Sequence, residues 1–328
     1  MRRRDFVTGL LAGVPVGGLV RQVVAAERVF RVGYLDPASK APISEGNFAQ
    51  FRKALIALGY EEGKNVIIDV RWANGDENLY RSLCAELVAE RVDVLVTHST
   101  WGTSIAKREV STIPIVVALV QDAVGNGLVH SLAQPQGNIT GSSFFFPELM
   151  IKRLALAKEA FPAASRAGVL TFPDDPYAKA TLEALKVTVQ QIGVDVARFD
   201  ARAPEEFDKA TTDMIADGVH VALVPEQAIF GTHAKAVASA MAVHSLPSVG
   251  FAAYASLHGG MLGYGPSISA LFRRAGWYVD KIFRGAQPRD LPVEQPTVFL
   301  LTVNQALARS MNVVIPAAIL ARADEVIE

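Results

Sequence analysis

From residue 29 onward the chain alternates two hydrophobic patterns. Short runs rich in Val, Ile and Leu are followed by longer segments whose apolar positions recur every three or four residues. The first pattern marks buried strands and the second amphipathic helices. The predicted order begins with a strand at 29–35, stopped by Asp36-Pro37. A helix capped by Ser44 follows, carrying Phe48, Phe51, Leu55 and Leu58 and ended by Gly59. Next come a strand at 66–72, a helix at 76–90, a continuous apolar strand at 92–97, a helix at 101–110 and a strand at 114–120. A short helix is expected at 124–132 and a turn at Gln136-Gly137-Asn138. The pattern then restarts: helix 147–160, strand 166–172, helix 176–191, strand 193–199, helix 204–216, strand 219–224, helix 228–243 and strand 247–251. A long helix at 267–284, a strand at 297–304 and a short helix close the series.

Strands separated by helices of ten or more residues imply right-handed crossovers and parallel sheets. Two successive sets predict an α/β protein of two similar Rossmann-like lobes with a ligand cleft between them. The expected division is 27–141 for the first lobe and 142–265 for the second. The helix at 266–290 returns to the first lobe, and 291–328 forms a tail whose lobe stays open. The hinge is expected at 138–147, where Gly141-Ser142-Ser143 interrupts the alternation, and a second crossing near 259–266.

Residues 1–26 do not belong to this pattern. Arg2-Arg3-Arg4-Asp5-Phe6-Val7 precedes a soft apolar run to Val20, and Val24-Ala25-Ala26 offers small residues for cleavage after Ala26. This is the build of a secretory signal, and the arginine pair followed by Phe6 resembles the twin-arginine type. The uncharged run is shorter than the roughly 20 residues that span a bilayer. An exported, periplasmic protein is expected, with no membrane anchor.

The chain carries formal net charge −1. The leader, with four arginines against one aspartate, accounts for +3, so the remainder carries −4. A mildly acidic protein has no electrostatic case for nucleic acid. The single cysteine, Cys84, lies within a helical pattern and reads as a core residue.

In open α/β sheets ligands bind at the carboxyl ends of strands, beside helix N-termini. That rule selects Ser99 and Thr100, whose hydroxyls and neighbouring free amides suit a carboxylate. It also selects Asp122, Asp174, Tyr177 and Glu226, with the acids as candidate ammonium or hydroxyl partners. Tyr34 and Tyr254 follow apolar runs, where each could stack on a ring or close the core. Enzyme signatures are missing: no Gly-x-Ser-x-Gly elbow, no phosphate-binding Gly-x-x-x-x-Gly-Lys-Ser/Thr loop, and no zinc spacing among the six histidines. No catalytic residue, metal or cofactor is expected.

Several stretches carry a family likeness. They include 111–116 (STIPIV), 121–129 (QDAVGNGLV), 135–141 (PQGNITG), 259–266 (GGMLGYGP) and 291–297 (LPVEQPT). In this order they resemble the ABC-transporter substrate-binding family that includes tryptophan/tyrosine uptake proteins. The resemblance implies a type I periplasmic-binding-protein fold, a monomer that captures a small solute between two lobes, and delivery to an inner-membrane ABC permease. An amino-acid-like or aromatic, carboxylic solute is the expected cargo. It implies Ser99, Thr100, Asp122, the 174–177 loop, Glu226 and Tyr254 as cleft residues. One position departs from the family: Trp101 stands where small residues or Pro are usual, and it either narrows the pocket or supplies a stacking face. The alternatives from other classes are an exported ligand sensor subunit and an exported enzyme on the same architecture.

Overall fold

The computed structural model describes residues 28–173 and 178–328. The proposed leader and the 174–177 loop therefore lie outside the described residues. The first lobe begins with β1 (Phe30–Asp36), α1 (Pro42–Ala57), β2 (Val66–Trp72) and α2 (Glu77–Ala89). It continues with β3 (Val94–Thr97), α3 (Thr100–Glu109), β4 (Ile115–Gln121) and β5 (Ile139–Phe144). The five strands form a parallel sheet in the order β2-β1-β3-β4-β5.

α2 is capped by Asp76, whereas α1 begins at Pro42 after Ala41, two residues before the Ser44 cap the sequence suggested. The Asp76 carboxylate accepts the amides of Asn78 and Leu79 at the start of α2, which meets two of the four orphan donors of a helix start. Ser44 works from inside α1, its hydroxyl accepting the Ala41 amide at 3.0 Å. The sheet is covered on both faces. Phe51 and Leu55 of α1 pack against Val32, Val94 and Val116 on one face, and Leu83 and Leu87 of α2 pack with Ile105 of α3 against Leu95 and Ile115 on the other.

The second lobe repeats the plan with α4 (Phe146–Ala160), β6 (Arg166–Thr171), α5 (Ala178–Ile192), β7 (Asp195–Asp200), α6 (Phe207–Ala216) and β8 (Val221–Leu223). Then come α7 (Ala228–Thr232), α8 (Ala234–Val243), β9 (Ser248–Gly250), α9 (Ala253–Ser256) and β10 (Leu262–Pro266). After α10 (Ile268–Phe283) the chain adds β11 (Phe299–Asn304), α11 (Gln305–Ser310), α12 (Ala317–Arg322) and β12 (Glu325–Ile327). The second sheet runs β12-β11-β10-β9-β8-β6-β7, with β10 and β11 antiparallel and every other pair parallel.

α10 packs back onto the first lobe. Phe272, Ala275, Tyr278 and Val279 join the core between α1 and that sheet, and Gly276 lets the Ala54 methyl of α1 approach closely. The 291–294 segment runs beside β5: Glu294 donates its amide to Gly141 and accepts that of Ser143, both at 2.9 Å. The Tyr278 hydroxyl donates to the Pro292 carbonyl at 2.7 Å. The chain thus passes between the two sheets three times: before α4, before α10 and before β11.

Three sequence expectations need correction. Residues 124–132 form turns and bends instead of a helix. Asp122 seeds that turn: its backbone sits at φ 39°, its carboxylate accepts the Gly125 amide at 2.8 Å, and its carbonyl accepts the Asn126 amide at 3.0 Å. A methyl group on Gly125 would lie 2.0 Å from the Asp122 carboxylate, so a larger residue there would push that carboxylate off the turn. Gly141-Ser142-Ser143 does not interrupt the alternation, because it lies inside β5. The helix expected over 228–243 is broken at His233, which caps α7 on one side and α8 on the other.

Candidate functional site

Both sheets reverse their winding direction between the first strand and the one after next: β1 to β3 in the first lobe, β6 to β8 in the second. The helices flanking such a reversal lie on opposite faces, which leaves a crevice at the strand ends where ligands bind in open α/β sheets. Asp36 ends β1 and His98 follows β3, so both stand at the first crevice. Phe172 and Glu226-Gln227 stand at the second, and the Phe172 amide donates to the Gln227 side chain at 2.7 Å.

In the first lobe the structure brings Ser99, Thr100, Trp101 and Asp122 together. Ser99 is the cap of α3, and its hydroxyl accepts the Gly102 amide at 3.1 Å. Its backbone adopts φ 64°, ψ 150°, a region costly for any residue with a side chain. The Ser99 amide is held by the Leu119 carbonyl at 2.8 Å. Thr100 joins the neighbouring loop: its hydroxyl accepts the Gln121 amide at 3.2 Å and lies 3.4 Å from the Gln121 carbonyl. The start of α3 leaves the amides of Thr100 and Trp101 without partners inside the helix. Trp101 keeps 39% of its surface exposed and sets its ring edge-on to Tyr80, 5.5 Å between centroids. Tyr80 is fixed in turn by a 2.7 Å hydrogen bond with Thr97. Asp122 is engaged by its own turn, as described above.

Tyr34 and Tyr254 are both buried. Tyr34 is fully buried, packed against Phe48 at 4.9 Å and Phe51 at 5.7 Å, so it offers no open face for stacking. Burial, reinforced by the charge of Asp36, pushes its phenol well above the usual range. Tyr254 is fully buried in the second lobe, where its hydroxyl donates to Ser248 at 3.2 Å. Gly250 and Gly260 leave the room its ring occupies: a methyl on Gly260 would fall 2.1 Å from a ring carbon. Both tyrosine rings pack in the core, the second of the two roles the sequence left open.

Glu226 has a partner that sequence reasoning missed. Arg153 of α4 is completely buried and grips both Glu226 carboxylate oxygens with its two terminal nitrogens. Its Nε donates to the Tyr264 carbonyl on β10 at 2.8 Å. One guanidinium thereby ties the helix after the first chain crossing to the strand before the second. The Glu226 side chain keeps 21% exposure, but its charge is already matched. A signal was present: Arg153 falls at helical spacing between Met150 and Ala157, on the apolar stripe of α4. Asp174 and Tyr177 lie outside the described residues.

Among the described residues no group of three or more His, Cys, Asp or Glu side chains could hold a metal. Also among them, no helix is long and apolar enough to cross a membrane.

Residues 43–327 match the family described as ABC transporter substrate binding protein. A tyrosine-binding protein of Clostridioides difficile is 24% identical over 262 residues, 80% of this chain and 75% of that protein. A conserved domain protein from Vibrio cholerae superposes with a TM-score of 0.80 at 27% identity, covering 91% of this chain and 100% of that one. An ABC domain from Streptococcus pneumonia in complex with L-Trp also gives 0.80, at 23% identity and the same coverages.

Proposed function

This chain belongs to the ABC transporter substrate-binding protein family, and from that premise we propose that it captures an amino-acid-like aromatic solute between its two lobes. Members of the family are exported solute-binding components that hand a small molecule to a membrane permease. The observation that carries the finer reading is the start of α3. Ser99 is held in a strained backbone conformation at the carboxyl end of β3, beside a hydroxyl and two first-turn amides that have no partner inside the helix. A helix N-terminus so arranged favours a carboxylate.

In this reading the Ser99–Thr100 turn takes the ligand carboxylate, and Trp101 supplies a wall for an apolar or aromatic body. Asp122 borders the same turn from the next loop. Glu226 contributes from the second lobe as an acceptor whose charge Arg153 has neutralised. The two lobes then close about the three chain crossings, a hinge motion that a ligand touching both lobes would favour. The relatives described as binding tyrosine and L-Trp support this solute class. A single protein chain delivering its cargo to an inner-membrane permease, after export to the periplasm with cleavage near Ala26, completes the proposal.

The test is a thermal-shift screen of residues 27–328 against amino acids, aromatic acids and sugars. A ligand bound only by the folded state raises the melting temperature by mass action. A shift with aromatic amino acids that is lost in Trp101→Ala supports the reading. Shifts with sugars alone refute the solute class.

A further inference from the structure

Among the described residues, Asp36 stands at the first crevice and Glu226 at the second, and their surroundings treat them differently. Glu226 is matched by Arg153. Asp36 is completely buried at the end of β1, and no Lys or Arg pairs with it among the described residues. Its Oδ1 accepts the Ala38 amide at 2.9 Å and lies 3.1 Å from Nε2 of His98. Its Oδ2 has no hydrogen-bond partner, and neither has the Tyr34 hydroxyl two residues earlier on the same strand face. The His98 Nε2 meets Asp36 as an ion-pair neighbour and makes no hydrogen bond. Three buried polar atoms without hydrogen bonds thus stand at one reversal point, where buried polar groups are otherwise almost always hydrogen-bonded. His98 keeps 19% of its side chain exposed, so it forms the side of this crevice that meets solvent. Its ring is held edge-on by Phe272 of α10 at 5.4 Å.

We propose that Asp36, with His98 and Tyr34, is an amine subsite that receives the ammonium group of the bound solute. This rests on the solute-binding reading above and deepens it. The ammonium brings a positive charge and three donors. One donor would meet the free Asp36 oxygen and another the Tyr34 hydroxyl, with the His98 ring turning aside to admit it. Asp36 and the Ser99–Thr100 turn follow adjacent strands, β1 and β3, so one small zwitterion could reach both. The second lobe, already neutral at Glu226, would then close on the rest of the molecule.

The experiment compares L-tyrosine, tyramine and 3-(4-hydroxyphenyl)propionate by calorimetric titration and thermal shift, using residues 27–328. The variants are Asp36→Asn and His98→Gln. Asp36→Asn can keep the oxygen that accepts the Ala38 amide while an NH2 replaces the charged Oδ2, and the melting temperature read alongside binding reports whether the fold is retained. The expected result is binding of the two amine-bearing compounds, weakened about tenfold or more in Asp36→Asn, the loss of one charge-assisted hydrogen bond. The amine-free acid should bind the wild type weakly and be unaffected by Asp36→Asn. Equal binding of the amine-free acid by the wild type, or undiminished amine binding by Asp36→Asn, overturns the subsite and leaves the solute-binding reading standing. No response to any of the three compounds overturns the subsite and the aromatic amino-acid reading together.

Discussion

Replacing Glu226 by Gln tests the buried Arg153 pair most directly. The substitution keeps size and shape and deletes the charge that faces a guanidinium with 0% side-chain exposure. Removing one partner of a buried ion pair costs about 3–5 kcal/mol, because the other charge stays behind without compensation. The low end, about 3 kcal/mol, applies here for two reasons. The new amide oxygen can still accept one guanidinium hydrogen, and Glu226 is 21% exposed, so water screens part of the interaction. For a unit of this size each kcal/mol moves Tm by roughly 2–4 °C, which gives a fall of about 6–12 °C. Arg153→Met should cost less, about 1–3 kcal/mol, since the freed carboxylate can reach solvent while the Tyr264 carbonyl loses its donor. The double variant removes both charges. It should be more stable than Glu226→Gln alone, as replacing a whole buried pair is often close to neutral. Urea unfolding of the four proteins yields the coupling energy directly. A Glu226→Gln penalty below about 1 kcal/mol, or strictly additive single effects, would refute the claim that a buried guanidinium depends on this carboxylate.

Other outcomes follow from single positions. Gly141→Ala should destabilise by at least about 2 kcal/mol in chemical denaturation, because its φ of 137° disfavours a side chain and the new methyl would sit 2.0 Å from the Val117 carbonyl oxygen. Cys84, buried and with its thiol pushed up to about 12 mainly by burial, should resist a thiol reagent at pH 8 in the native protein and react fully once unfolded. His258 is held below its ordinary value of 6.5 by burial, so the unfolded chain binds its proton more readily than the folded one. Its contribution to stability is present above pH 6.5 and is lost as the pH falls toward the depressed folded value, so His258→Gln should flatten the acid limb of a Tm-against-pH curve. An unchanged acid limb in that variant would contradict the assignment.

The order of elements was legible along the chain because backbone periodicity is a local property. Strands at 66–72 and helices starting at Asp76 and Ser267 follow from alternation, caps and breakers that act within a few residues. The same locality placed Ser99, Thr100 and Asp122 at strand ends, where the fold gathers them. The turn after Asp122 was misread as a helix because its deciding contact, a side chain clasping the Gly125 amide, competes with helical bonding without changing the hydrophobic pattern. Only the tertiary structure decided which polar groups are spent and which are free. Tyr34 and Tyr254 sit at strand-end positions that read equally as wall or core, and helices packed over them made them core. Glu226 reads as a free acid until Arg153, 73 residues away, closes on it. Asp36 reads as a strand stop until the reversal between β1 and β3 sets it beside His98 with one oxygen unused. Burial and long-range pairing depend on the packing of elements distant in the chain. Local pattern therefore places these residues at strand ends, and which of their charges are paired is settled only where distant elements meet.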